Sequence, residues 1–461
     1  MDTPAKQSDP RLHAWQALLQ SAPSTQLLEL LIADMNGILR GKRVGRREIE
    51  SVLARGFNLP GSAVLLDSKG QTIDGVPYGT RDGDPDVYCR VIPGSLAPVP
   101  WSARASAQAL VTMTDATGKP YFADPRTILR AALVPLKARG LTPVIALELE
   151  FYLLENDAAE SLTPRVALIP GTQTRQDGPQ CYCLEDLEEV EGFLADVEKA
   201  CQAQRIPAAT ALSEYGPGQF EINLHHVPDV ELACDHGVLL KRVVKHVARS
   251  HGMAACFMAK PFSDCAGSGL HIHVSLVDRD GRNVFGTADG GLSDTLRNAI
   301  GGLIETMPEG MAIFAPNANS YRRLRKGVYV PLTPNWGRNH RQMSLRIPLS
   351  GPEDARIEHR VAGADANPYL VVATVLAGIE HGIASKSTPP AMIEAGSIVP
   401  EVVTLPTRWE LALQNLERAR VLPKYLGEQY CDTFVRCRRT EAERYHNEIS
   451  NRDYEWYLRA V

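Results

Sequence analysis

Glu148 and Glu150 lie in the run Ala146-Leu147-Glu148-Leu149-Glu150-Phe151-Tyr152. On a strand, side chains alternate between faces, so both carboxylates share one face about 7 Å apart, with Leu147, Leu149 and Phe151 on the other. Two like charges on a half-buried face repel unless cations neutralise them; taken alone, the pair also reads as a solvated strand face. A second pair of acids, Glu214 and Glu221, flanks the turn Gly216-Pro217-Gly218, which can bring them towards one point. Third comes Gly267-Ser268-Gly269-Leu270-His271-Ile272-His273-Val274-Ser275. Here His271, His273 and Ser275 fall on one strand face, behind glycines that let the backbone approach a ligand. The fourth feature is a cluster of cations: Arg322, Arg323, Arg341, Arg346, Arg356 and Arg360. Arg356, Glu358 and Arg360 share a face, and in isolation they make a plain ion-pair ladder. Together the four sets have a different meaning. Carboxylates with a histidine suit Mg²⁺ or Mn²⁺, and several arginines suit phosphate and carboxylate groups. That is the equipment of a metal-dependent phosphoryl-transfer enzyme acting on an acid. No Gly-x4-Gly-Lys-Ser/Thr phosphate loop occurs.

The elements that must hold these residues are mixed. Leu27–Ile32, an Asn36-Gly37 turn and Ile38–Val44 predict a hairpin. Residues 58–100 are rich in Gly and Pro and read as a small β-rich unit ending near Pro120, preceded by a mobile N-terminal arm over 1–22 with one helical stretch at Leu12–Gln20. Asp124-Pro125 and Asn367-Pro368 each pair a capping residue with a proline suited to the first helical position. Helices are expected from Asp124 to Gly140, at 184–204, 232–250 and 292–306, and from Asn367 to Ile383. Strands are expected at 143–154, 219–225, 269–277, 342–348 and 355–361. The expected class is α+β, with 23–120 as the small domain and 121–461 as the catalytic one.

Composition sets the bounds. The chain has 461 residues, 44% hydrophobic and 22% charged, with a formal net charge of −5. These values exclude global disorder and argue against a nucleic-acid partner. No long uncharged apolar run and no signal-peptide core are found, so no membrane partner is expected. The nine cysteines have irregular spacing, which fits reduced thiols and a cytoplasmic setting.

In order and spacing, these motifs make the sequence resemble the glutamine synthetase family over nearly its whole length, and in particular the branch that joins glutamate to polyamines or monoamines. The resemblance implies an N-terminal β-grasp domain and a larger catalytic α+β domain. It implies two divalent cations, Mg²⁺ or Mn²⁺, per site: one held by Glu150, Glu214 and Glu221, the other by Glu148, His271 and Glu358. It implies that Arg323 and Arg360 clamp the α-carboxylate of L-glutamate beside Gly267, that Arg341, Arg346 and Arg356 face the phosphates of ATP, and that His273 and Ser275 border the nucleotide. Arg341, Arg360 and Glu150 are the residues expected to carry catalysis. A homo-oligomer is implied, a dodecamer with active sites between subunits. The implied reaction passes through γ-glutamyl phosphate to a γ-glutamyl amide.

The departures from the family pattern lie on the amine side. Ammonia-using members carry an aspartate in a Phe-Asp-Gly-Ser run; here the run is Asn58-Leu59-Pro60-Gly61-Ser62. They also carry an acid on the flap, where this chain has Tyr329. Without those anions a small hydrated cation has no partner for leaving water. Phe57, Leu59, Pro60, Tyr182, Tyr329 and Trp336 are the expected lining of a wider, less polar amine pocket. Missing acids favour an amine with an apolar or aromatic tail over a doubly charged polyamine. True glutamine synthesis, or a catalytically silent relative, are the competing readings.

Overall fold

The structure is a computed structural model that describes residues 9–156, 163–326, 329–397 and 402–461. The hairpin forms as expected: β1 (Leu27–Ala33) pairs antiparallel with β2 (Leu39–Gly45), from Leu27 opposite Gly45 to Ala33 opposite Leu39. Its turn is held by the Asp34 carboxylate, which accepts from the backbone N–H of Asn36 at 2.8 Å and of Ile38 at 2.9 Å. Gly37 takes the left-handed conformation, φ +76°, that the turn requires. The strands β3 (Phe57–Pro60), β4 (Asp86–Val91), β5 (Ala97–Pro98) and β6 (Ser106–Thr114) complete a mixed sheet in the order β2-β1-β6-β4-β3, with β5 also on β6. The central pair, β1 and β6, is parallel. Every residue of β1 is buried, because this strand is covered on both faces, whereas β4 alternates buried and more exposed residues.

The second sheet positions the chemistry. Its strands are β7 (Thr142–Glu155), β8 (Ala208–Ser213), β9 (Gln219–Leu224), β10 (Met253–Cys256), β11 (Leu270–Val277), β12 (Trp336–Arg338), β13 (Leu345–Ile347) and β14 (Ile357–His359). The order is β12-β13-β14-β11-β7-β9-β8, with β10 also on β7. Long helices bury its apolar face. Asp124 caps the helix Pro125–Ala138, accepting from Arg126 N–H at 2.9 Å, and Asn367 caps Pro368–Ser385, accepting from Tyr369 N–H at 2.9 Å. Pro368–Ser385 is long and apolar enough to cross a membrane by composition, but it is the buried core helix of this unit. It packs against Asp294–Phe314 closely enough that a Cβ on Gly302 would collide with Gly382.

Several expectations need correction. The stretch 10–21 is no free arm: Pro10–Ser21 is a helix capped by Asp9, and its Trp15 is buried, with the Arg46 guanidinium 4.9 Å from the ring centroid. Residues 1–8 lie outside the described residues. The helix expected at 184–204 is two, Leu184–Glu188 and Glu191–Gln204. The helix expected at 292–306 continues to Phe314 through Pro308, and the last two strands shrink to three residues each. Side-chain hydrogen bonds tie the first sheet to the catalytic unit: Asn367 Nδ2 donates to Asp34 O at 2.8 Å, and Arg438 Nη1 to Asn36 Oδ1 at 2.6 Å.

Candidate active site

Strand register brings the motifs together. Glu148 on β7 is opposite His271 on β11, and Glu150 is opposite Glu221 on β9. His273 is opposite Glu358 on β14, which is opposite Arg346 on β13. Leu147, Leu149 and Phe151 point into the core, so alternation turns Glu148 and Glu150 to the opposite, polar face. Five neighbouring strands therefore present acids, imidazoles and guanidiniums to one surface.

At the centre, His271 Nδ1 lies 3.1 Å from Glu148 Oε2 and 3.9 Å from Glu221 Oε2, and His271 Nε2 lies 3.7 Å from Glu150 Oε1. His273 Nε2 lies 2.8 Å from Glu148 Oε1, and its Nδ1 accepts from Arg356 Nε at 3.2 Å, so Nε2 carries the proton. Glu358, 1% exposed, is gripped by Arg346 Nη1 at 2.5 Å and by Arg360. Gly269 N–H donates to Glu150 Oε2 at 2.8 Å. A Cβ on Gly269 would sit 2.9 Å from Arg323 Nη2 and 3.1 Å from His271 Nε2, so glycine leaves these two side chains room against the strand.

The ionisation pattern reports a surplus of negative charge. Burial, reinforced by Glu150, pushes the Glu214 carboxyl up to about 7. Burial and the charges of Glu148, Glu150 and Glu214 push Glu221 well above the usual carboxylate range. Burial opposes ionisation of Glu148 as well, but its hydrogen bonds to His271 and His273 win and hold it well below that range. At Glu358 burial is likewise overcome, chiefly by Arg360, and the group falls to about 2.

Two sets of donors, Glu148–His271–Glu358 and Glu150–Glu221–His271, each bring one ligand atom per residue within 4.8 Å of the others. Hard carboxylate oxygens with a single imidazole, and carboxyls that crowding drives towards protonation, fit oxygen-preferring divalent cations. The first set is the one the resemblance assigns. In the second, His271 stands where Glu214 was expected, and Glu214 borders the set on its turn, near enough to respond to Glu150.

The arginines divide by setting. Arg323 is buried beside Gly267 and donates to Val361 O at 2.9 Å. The Nε atoms of Arg323, Arg346 and Arg360 are buried and have no partner among the described residues. Arg356 reaches His273, Ser275 follows half-buried on the same face of β11, and Arg341 is exposed on the loop after β12.

The expected amine pocket is only partly gathered. Trp336 is 2% exposed and faces the core: its register partner is Leu345, and its indole N–H donates to Pro390 O at 2.8 Å. Leu59 also belongs to a core, that of the first sheet. Alternation turns both inward, so neither is the exposed lining that was expected. Phe57 lies half-buried under Lys42, and Pro60 is exposed on β3, the edge of the first sheet. Tyr182 is 55% exposed; its N–H donates to Ser213 O at 2.9 Å, next to Glu214, and its φ is +64°. Tyr329 is 66% exposed, and Gly327 and Val328 before it lie outside the described residues.

Sequence reasoning missed Gln219 and Asn223. Gln219 Nε2 donates to Glu150 Oε2 at 3.3 Å, and Asn223 Nδ2 to Glu148 Oε1 at 3.5 Å. The signal was available: both share the face of Glu221 by simple alternation along β9.

Comparison with known proteins agrees with this arrangement. Residues 122–457 match the family model for the glutamine synthetase catalytic domain. The chain is 40% identical over 443 residues to the gamma-glutamylputrescine synthetase PuuA of Escherichia coli (strain K12), covering 96% of this chain and 93% of the relative. It is 32% identical over 424 residues to the glutamate–isopropylamine ligase of a Pseudomonas species, covering 88% and 90%. A solved structure of a GmaS/ADP complex superposes with a TM-score of 0.82 at 26% identity, covering 96% of this chain and 98% of that one. With its catalytic motifs converging on one sheet face and most of its length matched, the chain belongs to the glutamine synthetase family.

Proposed function

We propose that this protein is an ATP-dependent ligase that joins the γ-carboxylate of L-glutamate to an organic primary amine, by way of γ-glutamyl phosphate. The observation that carries the reading is the convergence of Glu148, Glu150, Glu221, His271 and Glu358 beside buried arginines with unpartnered nitrogens, on a chain that lacks both acids of the ammonia-using pattern. The names of the related ligases support the same reaction class.

Glu148, His271 and Glu358 would hold one divalent cation, Mg²⁺ or Mn²⁺, and Glu150, Glu214 and Glu221 a second. Bound there, such ions supply charge neutralisation between phosphate and carboxylate oxygens and polarise the phosphoryl group. Arg323 and Arg360 hold the α-carboxylate of glutamate, which fixes its γ-carboxylate towards the γ-phosphorus of ATP. Arg346 and Arg356 face the phosphates from the sheet and Arg341 from its loop, where they stabilise charge that builds on the transferring group. A γ-carboxylate oxygen displaces ADP; the amine nitrogen then attacks the γ-carbonyl carbon, phosphate leaves, and the nitrogen loses a proton. Phe57 and Pro60 sit at the edge of the first sheet, whereas the cluster sits on the second. A homo-oligomer in which a neighbouring copy supplies that edge is part of the proposal, and light scattering is the direct measurement of it.

The test is phosphate release by purified protein with ATP, glutamate and Mg²⁺ against putrescine, isopropylamine, ethanolamine and ammonium, with the product mass determined. Amine-stimulated release and a γ-glutamyl amide are expected, with little response to ammonium. Robust glutamine formation at millimolar ammonium, or no release with any amine, overturns the proposal.

A further inference from the structure

Gln219 opens β9 and is almost wholly buried, and both ends of its carboxamide are engaged. Its Oε1 accepts from Gly216 N–H at 3.0 Å, within the turn that carries Glu214. Its backbone closes the same turn: Gln219 N–H donates to Gly216 O at 2.9 Å, and Gln219 O accepts from Glu214 N–H at 2.8 Å. At the other end Nε2 donates to Glu150 Oε2 at 3.3 Å and to Gly267 O at 3.2 Å, with Ser268 Oγ at 3.5 Å.

Glu150 Oε2 thus receives two neutral donors, Gln219 Nε2 and Gly269 N–H. Saturating that oxygen leaves Oε1, the atom nearer His271, to face the acid cluster. Because both donors are neutral, the carboxylate is oriented without losing its charge, which a lysine or arginine at this position would cancel. The same NH₂ group holds the carbonyl of Gly267, the residue against which Arg323 packs. One amide therefore touches an acid of the cluster, the turn of a second acid, and the loop beside the anion-binding arginine.

We propose that Gln219 is a positioning residue that sets cation affinity and glutamate affinity together, by fixing Glu150 relative to the Glu214 turn and the Gly267 loop. This rests on the functional reading above, since it takes the acid cluster as the cation site and the Gly267 loop as the glutamate site.

The experiment uses the full chain and Gln219→Met, which keeps side-chain length and removes both polar ends. Mn²⁺ binding is followed by paramagnetic resonance, independently of turnover, and glutamate and ATP dependence by steady-state kinetics. The Mn²⁺ dissociation constant and the KM for glutamate are each expected to rise about tenfold, as for other partners that orient metal ligands, while the KM for ATP at saturating Mn²⁺ stays unchanged. Gln176→Met is the control: Gln176 Oε1 accepts from Gly218 N–H at 2.8 Å, so that variant loosens the same turn and leaves Glu150 untouched. It should move both constants far less than Gln219→Met does. If Gln219→Met does not fold, Gln219→Asn keeps the amide but falls short by one methylene, and the same paired rise is expected. Wild-type affinities in the Gln219 variant, or equal effects from Gln176→Met, overturn the assignment. A wild-type protein that binds no Mn²⁺ overturns the functional reading itself, and this inference with it.

Discussion

Replacing Glu358 by Gln removes one charge, keeps the shape, and leaves the Arg346 and Arg360 guanidiniums side by side with no counter-ion between them. The cost follows from the ionisation of the acid. The Glu358 carboxyl is held at about 2 against an ordinary 4.5. At about 1.4 kcal/mol per pKa unit, the folded state favours its charged form by about 3–4 kcal/mol. That figure lies within the range of about 3–5 kcal/mol for breaking a buried ion pair from one side. The sign is fixed: a folded-state value below the unfolded one gives stability that is complete above pH 4.5 and is lost as pH falls through 4.5 towards 2. Urea unfolding of the EDTA-stripped wild type and Glu358→Gln should therefore differ by about 3–4 kcal/mol, and the deficit should be flat from about pH 5 to 8. Overlapping curves at pH 7 would refute the electrostatic account. A deficit that grows or shrinks within that range would refute it as well, because the arginines keep their charge throughout. In Mg²⁺ the same variant should lose turnover, because the acid is also a member of a cation-sized donor set.

Three further outcomes can be measured. Glu214 is pushed up to about 7 and Glu221 well above the usual carboxylate range, so Mn²⁺ binding should expel protons, and its affinity should fall as pH drops through about 7; calorimetry in buffers of different ionisation enthalpy counts those protons, and a buffer-independent heat at pH 6 would contradict this. Trp15→Ala should cost about 3–5 kcal/mol of stability in the first unit by opening a cavity under the helix Pro10–Ser21, with proteolysis between that helix and β1 as a second readout; an unchanged urea midpoint would count against docking of the helix. Pro60→Asp, which restores an acid at an exposed edge position, should raise kcat/KM for ammonium in a coupled ADP assay, and no change would show that the acid needs the missing flap acid too.

The parts of the fold that local chemistry dictates were readable from the chain. Asp124-Pro125 and Asn367-Pro368 start helices because a capping carboxylate or amide and a preset φ need no tertiary help. Glu148 and Glu150 share a face because pleating leaves no alternative. What could not be read depends on packing between distant segments. Trp336 looked like pocket lining because aromatic residues near a flap suit a ligand; its direction is set by pairing with Leu345, which fixes the parity of a strand only three residues long. Leu59 turned inward for the same reason, once β3 paired with β4. Trp15 was missed because the helix around it carries no clear apolar stripe; it docks through Trp15 against Arg46, partly buried Leu12, Leu18 and Leu19, and Arg11 donating to Val91 O. Gln219 and Asn223 were overlooked because amides carry no charge, although in a crowded acid site a neutral donor is what orients a carboxylate.

With Trp336 and Leu59 committed to cores, the residues expected around the organic tail of the amine reduce to Tyr182 and Tyr329, both exposed, and Phe57 and Pro60 on the first sheet's edge. Tyr182 is the best-anchored of these: its backbone is tied to Ser213, one residue before Glu214, so an aromatic ring is held close to the acid cluster. Burial against such a surface is worth about 0.8 kcal/mol per methylene, or about fourfold in affinity. Along the series methylamine, ethylamine, propylamine, butylamine, kcat/KM should climb by about that factor per step until the tail outgrows the ring. Tyr182→Ala should flatten the slope while leaving phosphate release with methylamine nearly unchanged, since the shortest amine never reaches the ring. A flat series in the wild type would refute apolar selection. So would putrescine outrunning butylamine, because a second ammonium in an apolar chamber costs binding unless a carboxylate meets it, and that carboxylate would then be the true determinant of the substrate.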